Sequence, residues 1–113
     1  MSASGLTAKA DYERRRLFKE CNNLFQEAYQ KLLTKSLPEI ASRGEYSYRV
    51  SQWDLVPPHC WYFEEHFKNE VCKLVRVEGL TASMYGNSVT MEWKSGSNVD
   101  KDLFTNEKRK DLP

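Results

Sequence analysis

The chain lacks the residue patterns that build phosphate-binding loops and membrane segments. Its 113 residues include five glycines, and none of them belongs to a Gly-x-Gly or P-loop pattern. No segment approaches ~18 consecutive apolar residues, the length that a membrane-spanning helix needs. We therefore expect neither a nucleotide-binding loop nor a membrane association.

An excess of charge is also missing. Seventeen Lys and Arg stand against sixteen Asp and Glu, which gives a net charge of +1, whereas a dedicated nucleic-acid binder carries a clear basic excess. One local cluster remains at the start of the first predicted helix. Its members are the candidate nucleic-acid-binding residues of an alternative that the overall charge does not favour: Arg14, Arg15, Arg16 and Lys19.

Cysteine is scarce, and its number is odd. Cys21, Cys60 and Cys72 are widely spaced, whereas a secreted disulfide scaffold has an even and denser set. The N-terminal residues do not combine a basic stretch with an apolar run, so we expect no signal peptide. We predict free thiols and an intracellular protein, located in the cytoplasm or, for a viral protein, in the host cell or virion.

No set of residues has the spacing of a catalytic or metal-binding motif. The metal-ligand candidates are His59, Cys60, His66 and Cys72, but their gaps differ from those of structural zinc sites. Glu64 and Glu65 are adjacent on a predicted helix and therefore diverge. No cysteine lies in a nucleophile motif. We expect no enzyme, no catalytic residue, no cofactor and no metal site.

The N-terminal part of the chain has the apolar period of a helix. Steps of three and four predict a helix over Tyr12–Leu33 that begins near Thr7–Asp11. Pro38 predicts a break or kink at Ser36–Leu37, followed by a short helix with Pro38 in its first turn. One bent helix of about 30 residues is the alternative.

The rest of the chain alternates between strand and helix patterns. Tyr46, Tyr48 and Val50 alternate with polar residues and predict a strand. A second helix is predicted over 60–77, followed by a β-hairpin that turns at Gly86-Asn87. The apolar face of this second helix is predicted to contain Phe63, Phe67, Val71, Leu74 and Val75.

These elements predict a two-layer α+β sandwich: a long N-terminal helix kinked near Pro38, a strand, a helix and a C-terminal hairpin. A winged-helix arrangement is the alternative, and it requires one more short helix within 52–56. We predict a flexible N-terminus over 1–8, a single α+β domain over 9–94, and a polar, mostly flexible tail over 95–113.

Three aromatic residues remain after the core positions are assigned. Trp53, Trp61 and Tyr62 bracket the rigid pair Pro57-Pro58. Exposed aromatic side chains on a rigid segment are typical of protein interfaces, so these three are the candidate partner-binding residues. The alternative is that they fold back to cover one end of the sheet.

The pattern over 33–93 resembles small uncharacterised α+β proteins of bacteriophages and large DNA viruses. The matching pieces are Ala41-Ser42-Arg43-Gly44-Glu45-Tyr46, Val77-Glu78-Gly79-Leu80 and Thr90-Met91-Glu92-Trp93. The double proline and the long charged first helix depart from that pattern. The resemblance covers about half the chain, and it implies a viral accessory or virion protein without catalytic residues to transfer.

The functional expectation combines these observations. We predict a small, non-enzymatic structural or protein-interaction module with a protein partner, which includes self-association. A winged-helix-like nucleic-acid-binding protein is the alternative.

Overall fold

The computed structural model describes residues 2–95, 99–100 and 103. The helical segments are α1 (Ala3–Lys31), a π-helical turn (Leu32–Ser36), α2 (Leu37–Ser42), α3 (Gln52–Leu55), a 3-10 helix (Pro58–Phe63) and α4 (Glu64–Val77). The strands are β1 (Ser47–Ser51), β2 (Thr81–Tyr85) and β3 (Ser88–Glu92). The fold is therefore α+β, as the sequence predicts.

Helix α1 begins earlier than the sequence indicates. The hydroxyl of Ser2 accepts a hydrogen bond from the N–H of Gly5, which caps the helix at Ala3. Residues 3–8, which the sequence predicts as a flexible lead-in, continue the helix and are exposed. The apolar stripe of α1 that packs against the core starts only at Leu17. Hydrophobic periodicity therefore could not predict that residues 3–8 are helical.

A π-helical turn connects α1 to α2. The N–H of Leu37 donates to the carbonyl of Leu32, and Ser36 and Leu37 both have helical φ and ψ angles. The helix is therefore continuous, and the feature that the sequence predicts as a break is a change of hydrogen-bonding pattern. In α geometry the ring of Pro38 would clash with the carbonyl four residues earlier, and the wider π turn relieves that clash.

The sheet is antiparallel with the strand order β1-β3-β2. Val50 pairs with Val89 and Tyr48 with Met91, so the apolar positions of both strands lie on one face. Strands β2 and β3 form the predicted hairpin, in which Gly86 has a φ of 58° and supplies the left-handed conformation of the tight turn.

Short helices occupy the connection between β1 and α4. The hydroxyl of Ser51 accepts a hydrogen bond from the N–H of Trp53, and the Asp54 carboxylate accepts one from the N–H of Ser51. These two bonds form a capping box that stabilises the N-terminus of α3. Helix α3 is the additional helix that the winged-helix alternative requires. Pro58 then begins a 3-10 helix, in which a proline at the first position needs no N–H partner.

Helices α1 and α4 contribute their apolar stripes to one core that the sheet also lines, with α4 packed on β2 and β3. Phe67 is stacked on Phe25 at 5.0 Å between ring centroids, and both are fully buried. Of the five residues of the predicted face, Phe67, Val71 and Val75 are buried. Leu74 is partly buried, and Phe63, also partly buried, belongs to the 3-10 helix before α4. The core consists of Cys21, Phe25, Tyr29, Leu32, Val50, Leu55, Val56, Cys60, Phe67, Val71, Cys72, Val75, Val89 and Met91.

The predicted flexible tail over 95–113 lies mostly outside the described residues, so its flexibility stays a prediction.

Candidate functional site

Two adjacent aromatic side chains form an exposed surface at the end of the 3-10 helix. Trp61 is 63% exposed and Tyr62 is 49% exposed. Their rings meet edge to face at 5.8 Å. This exposure disfavours the alternative in which they cover one end of the sheet. We refer to Trp61 and Tyr62 as the aromatic pair.

Trp53, the third predicted partner-binding residue, lies on α3 and is 40% exposed. Among the described residues, the ring contacts join Trp61 to Tyr62 but join neither of them to Trp53. The structure therefore brings two of the three predicted residues into ring contact, and it places the third, also exposed, on the preceding short helix.

A covalent bond holds the base of the aromatic pair. Cys60, directly before Trp61, forms a disulfide with Cys21 of α1, and both residues are fully buried. The prediction of three free thiols is therefore wrong for these two cysteines, because the packing of the 3-10 helix on α1 brings residues 39 positions apart to a Cα–Cα distance of 6.0 Å. Cys72 is free and buried, and burial raises the pKa of its thiol.

A side chain of α1 also packs on Tyr62. The Arg14 guanidinium lies 4.1 Å from the centre of the Tyr62 ring, within the range of a cation–π interaction. The Phe63 ring lies 5.2 Å from the Tyr62 ring and 5.2 Å from the Phe18 ring of α1. Aromatic packing therefore connects the end of the 3-10 helix to α1. The structure thus joins a predicted partner-binding residue to Arg14, a residue predicted for the nucleic-acid alternative.

The other basic residues of that alternative follow Arg14 along α1. Arg14, Arg15, Arg16 and Lys19 are all exposed. Arg16 forms an ion pair with Glu13 at 2.9 Å, and the hydrogen bond to that carboxylate raises the pKa of Arg16. An exposed pair of this kind adds little stability. It does place a negative charge within the basic cluster.

Two basic side chains of α4 are bonded to the hairpin. The ammonium of Lys68, which is almost fully buried, donates to the Gly86 carbonyl at 3.3 Å and lies 3.6 Å from the Glu65 carboxylate. Arg76 donates to the Ala82 carbonyl at 2.9 Å. In a winged helix α4 would face the nucleic acid, and these bonds hold two of its basic side chains on the hairpin instead of leaving them free to reach phosphates.

The disulfide brings a histidine into a cluster with two sulfur atoms. The possible ligand atoms of Cys21, His59 and Cys60 all lie within 4.8 Å of one another, with the imidazole on the exposed side. The sequence candidates for a metal site included His59 and Cys60 but also His66 and Cys72, which lie outside this cluster. Cys21 was missed because its position beside Cys60 depends on tertiary packing. No spacing rule predicts it.

His66, the other histidine, packs among aromatic rings. Its ring meets Phe18 at 5.3 Å and Phe67 at 5.1 Å, both edge to face. These contacts are typical of a histidine that contributes to packing.

Element order, strand pairing and core define a small α+β protein with one disulfide. Comparisons with family models, curated proteins and solved structures find no match for the chain. The resemblance to phage and viral proteins therefore stays a prediction. Of the helices in the described ranges, none combines the length and the apolar character needed to cross a membrane.

Proposed function

We propose that this protein is a non-enzymatic interaction module that binds a protein partner through the aromatic pair. The observation that supports this proposal is the exposure of Trp61 and Tyr62 on a segment fixed at its base by the Cys21–Cys60 disulfide. Large aromatic side chains contribute most binding energy where they are already held in place, because little conformational freedom is lost on association.

The surroundings of the aromatic pair indicate the chemistry of the partner. Arg14 covers one face of Tyr62 and remains exposed. Arg16, which is ion-paired with Glu13, lines the same groove beside Tyr62. A protein segment with an apolar side chain for the Trp61 surface and carboxylates for the arginines would complement both features. An acidic, partly apolar protein surface is therefore the partner that we propose. A viral origin and an intracellular location belong to the same proposal, and the Cys21–Cys60 disulfide weighs against the second because such bonds are rare in reducing compartments.

A capture experiment with matched variants tests the proposal. The double variant Trp61→Ala/Tyr62→Ala removes the aromatic pair, whereas Tyr85→Ala removes a 73% exposed tyrosine from the hairpin. After cross-linking in source cells, we expect one acidic partner to be captured by the wild type and by Tyr85→Ala, and to be lost with the double variant. Titration of that purified partner should show at least a tenfold loss of affinity in the double variant.

Other outcomes would replace or overturn the proposed partner. A dimer in light scattering that dissociates in the double variant would identify a second copy of the chain as the partner. Capture of the same proteins by the wild type and by the double variant would show that the aromatic pair is not the binding surface.

A nucleic-acid-binding function is the second candidate, and the presence of α3 favours it because that helix completes the winged-helix order. The bonds of Lys68 and Arg76 to the hairpin weigh against it. Duplex DNA affinity that is measurable at about 50 mM salt and falls steeply as salt increases would support this function. Absence of binding at that salt concentration would eliminate it.

A further inference from the structure

The cluster of Cys21, His59 and Cys60 contains the donor atoms of a metal site. Cys21 lies on α1, and Cys60 lies on the 3-10 helix that packs against it. Both sulfur atoms are buried, while the imidazole of His59 lies on the solvent side, and the three possible ligand atoms are within 4.8 Å of one another. In the disulfide form the two sulfurs are bonded to each other and are not available as thiolate ligands.

Reduction would convert the disulfide into two neighbouring thiols. A dithiol reductant supplies two electrons and two protons: the Sγ–Sγ bond breaks, each cysteine sulfur gains a hydrogen, and the reductant becomes a disulfide. The contacts of Phe63 with Phe18 would still hold the 3-10 helix against α1. The two thiols would therefore remain side by side, with His59 next to them.

Two thiolates and an imidazole suit a soft divalent cation with tetrahedral geometry. Zinc binds sulfur at about 2.3 Å, which places two thiolate ligands of one ion about 3.8 Å apart. Cys21 and Cys60 have Cα atoms 6.0 Å apart, so side-chain rotation alone can supply that separation. Three protein ligands leave a fourth position, which water can fill from the exposed side.

We propose that the reduced protein binds one Zn²⁺ through Cys21, His59 and Cys60. Each thiol releases its proton when its sulfur binds the metal, so two protons leave the cysteines for each ion bound, and His59 donates a nitrogen lone pair. The metal then replaces the disulfide as the link between α1 and the 3-10 helix. The base of the aromatic pair is held in both redox states.

Cobalt titration of the full chain tests this site directly. The protein is reduced with dithiothreitol, freed of the reductant without exposure to air, and titrated with Co²⁺. We expect one ion per chain, a thiolate-to-cobalt charge-transfer absorption, the intense visible bands of tetrahedral cobalt, and their loss when Zn²⁺ is added. An indicator dye should record two protons released for each Zn²⁺ ion.

The chain supplies a matched control for each type of ligand. His59→Ala should weaken cobalt binding at least tenfold and is an exposed position, so the fold is preserved. Cys60→Ser removes one of the two thiolates, so it should weaken cobalt binding and at least halve the charge-transfer absorption per bound ion, with circular dichroism used to verify folding. His66→Ala and Cys72→Ala alter the histidine and the cysteine outside the cluster, and both should bind as the wild type does.

Three results would overturn the proposal. The first is the absence of thiolate-to-cobalt absorption in the reduced wild type. The second is an unchanged affinity in His59→Ala. The third is an equal spectrum from the oxidised protein. None of these measurements involves Trp61 or Tyr62, so the metal site and the proposed partner surface can fail independently.

Discussion

The ammonium of Lys68 in α4 donates a hydrogen bond of 3.3 Å to the carbonyl of Gly86 in the hairpin turn. Lys68 is almost fully buried, so its aliphatic stem covers apolar surface while its charged end reaches the turn. This single side chain connects the helix to the tip of the hairpin.

Replacement of Lys68 should loosen the hairpin. Lys68→Met keeps most of the aliphatic volume but removes the donor, and we expect the free energy of unfolding to fall by about 1–2 kcal/mol. Amide hydrogen exchange in β2 should become faster. Lys73→Met, on the same helix but exposed, is the control and should change stability by less than about 0.5 kcal/mol. Equal effects of the two variants would contradict a role for the bond.

Phe67 fills the space between the two main helices and should be costly to remove. Its ring is 1% exposed and stacks on Phe25. Phe67→Ala should lower the free energy of unfolding by about 3–5 kcal/mol, measured by chemical denaturation. Val77→Ala changes an 84% exposed residue of the same helix and should have little effect. A loss below about 1 kcal/mol in Phe67→Ala would place Phe67 outside the core.

Tyr29 should make stability sensitive to alkaline pH. Burial, and secondarily the negative charge of Glu78, raises the pKa of the Tyr29 hydroxyl above its usual value. Below about pH 10 the phenol is neutral in both the folded and the unfolded chain, so its contribution is fully present. As pH rises further the unfolded chain ionises first, and the free energy of unfolding falls through the folded pKa.

Paired denaturation curves across this pH range isolate the contribution of Tyr29. Tyr29→Phe should reduce the alkaline loss of stability, because it removes the group that ionises preferentially in the unfolded chain. Tyr12→Phe alters an exposed tyrosine of the same helix and should leave the alkaline slope as it is in the wild type. Parallel curves for the wild type and Tyr29→Phe would exclude this origin of the pH dependence.

The Cys21–Cys60 disulfide should account for a substantial part of the stability. Its cysteines are 39 positions apart in sequence. Closure of a loop of that length corresponds to about 4 kcal/mol in the chain-entropy treatment. We expect oxidised protein to be more stable than reduced protein by about that amount when both are denatured with a chelator present. A difference near zero would show that the loss of unfolded-state entropy is offset, by a cost of the bond in the folded protein or by residual structure in the reduced unfolded chain.

Thiol labelling should distinguish Cys72 from the other two cysteines. In the oxidised protein the free, buried Cys72 has a raised thiol pKa, which keeps the unreactive protonated form at neutral pH. We expect no rapid alkylation of the native protein and one label per chain after denaturation. Reduction before denaturation should give three labels. Rapid labelling of native protein would mean that Cys72 is accessible.

The elements that the sequence predicts well are those that depend on local chemistry. Phe67, Val71 and Val75 share a face because of helical spacing alone, and Gly86-Asn87 sets a tight turn from two residues. These signals need no knowledge of distant contacts. The same reasoning identified Trp61 and Tyr62 as residues left over from the core, which their exposure confirms.

The features that the sequence did not predict depend on which distant segments pack together. The Cys21–Cys60 bond and the contact of Arg14 with Tyr62 both require the 3-10 helix to lie on α1, and neither leaves a periodic trace in the sequence. The π-helical turn before Pro38 is a local solution to a steric clash that a break could also relieve. Sequence alone could not choose between the two.

The disulfide also determines which cuts in the chain would release a fragment. Cys21 and Cys60 enclose the last third of α1, the π-helical turn, α2, β1 and α3 in a covalent ring. The exposed bend at Arg43-Gly44 lies inside this ring and offers trypsin an accessible arginine. A molecule cleaved there would remain a single species on a non-reducing gel, whereas a cut outside the ring, for example after Arg15, would release a peptide at once.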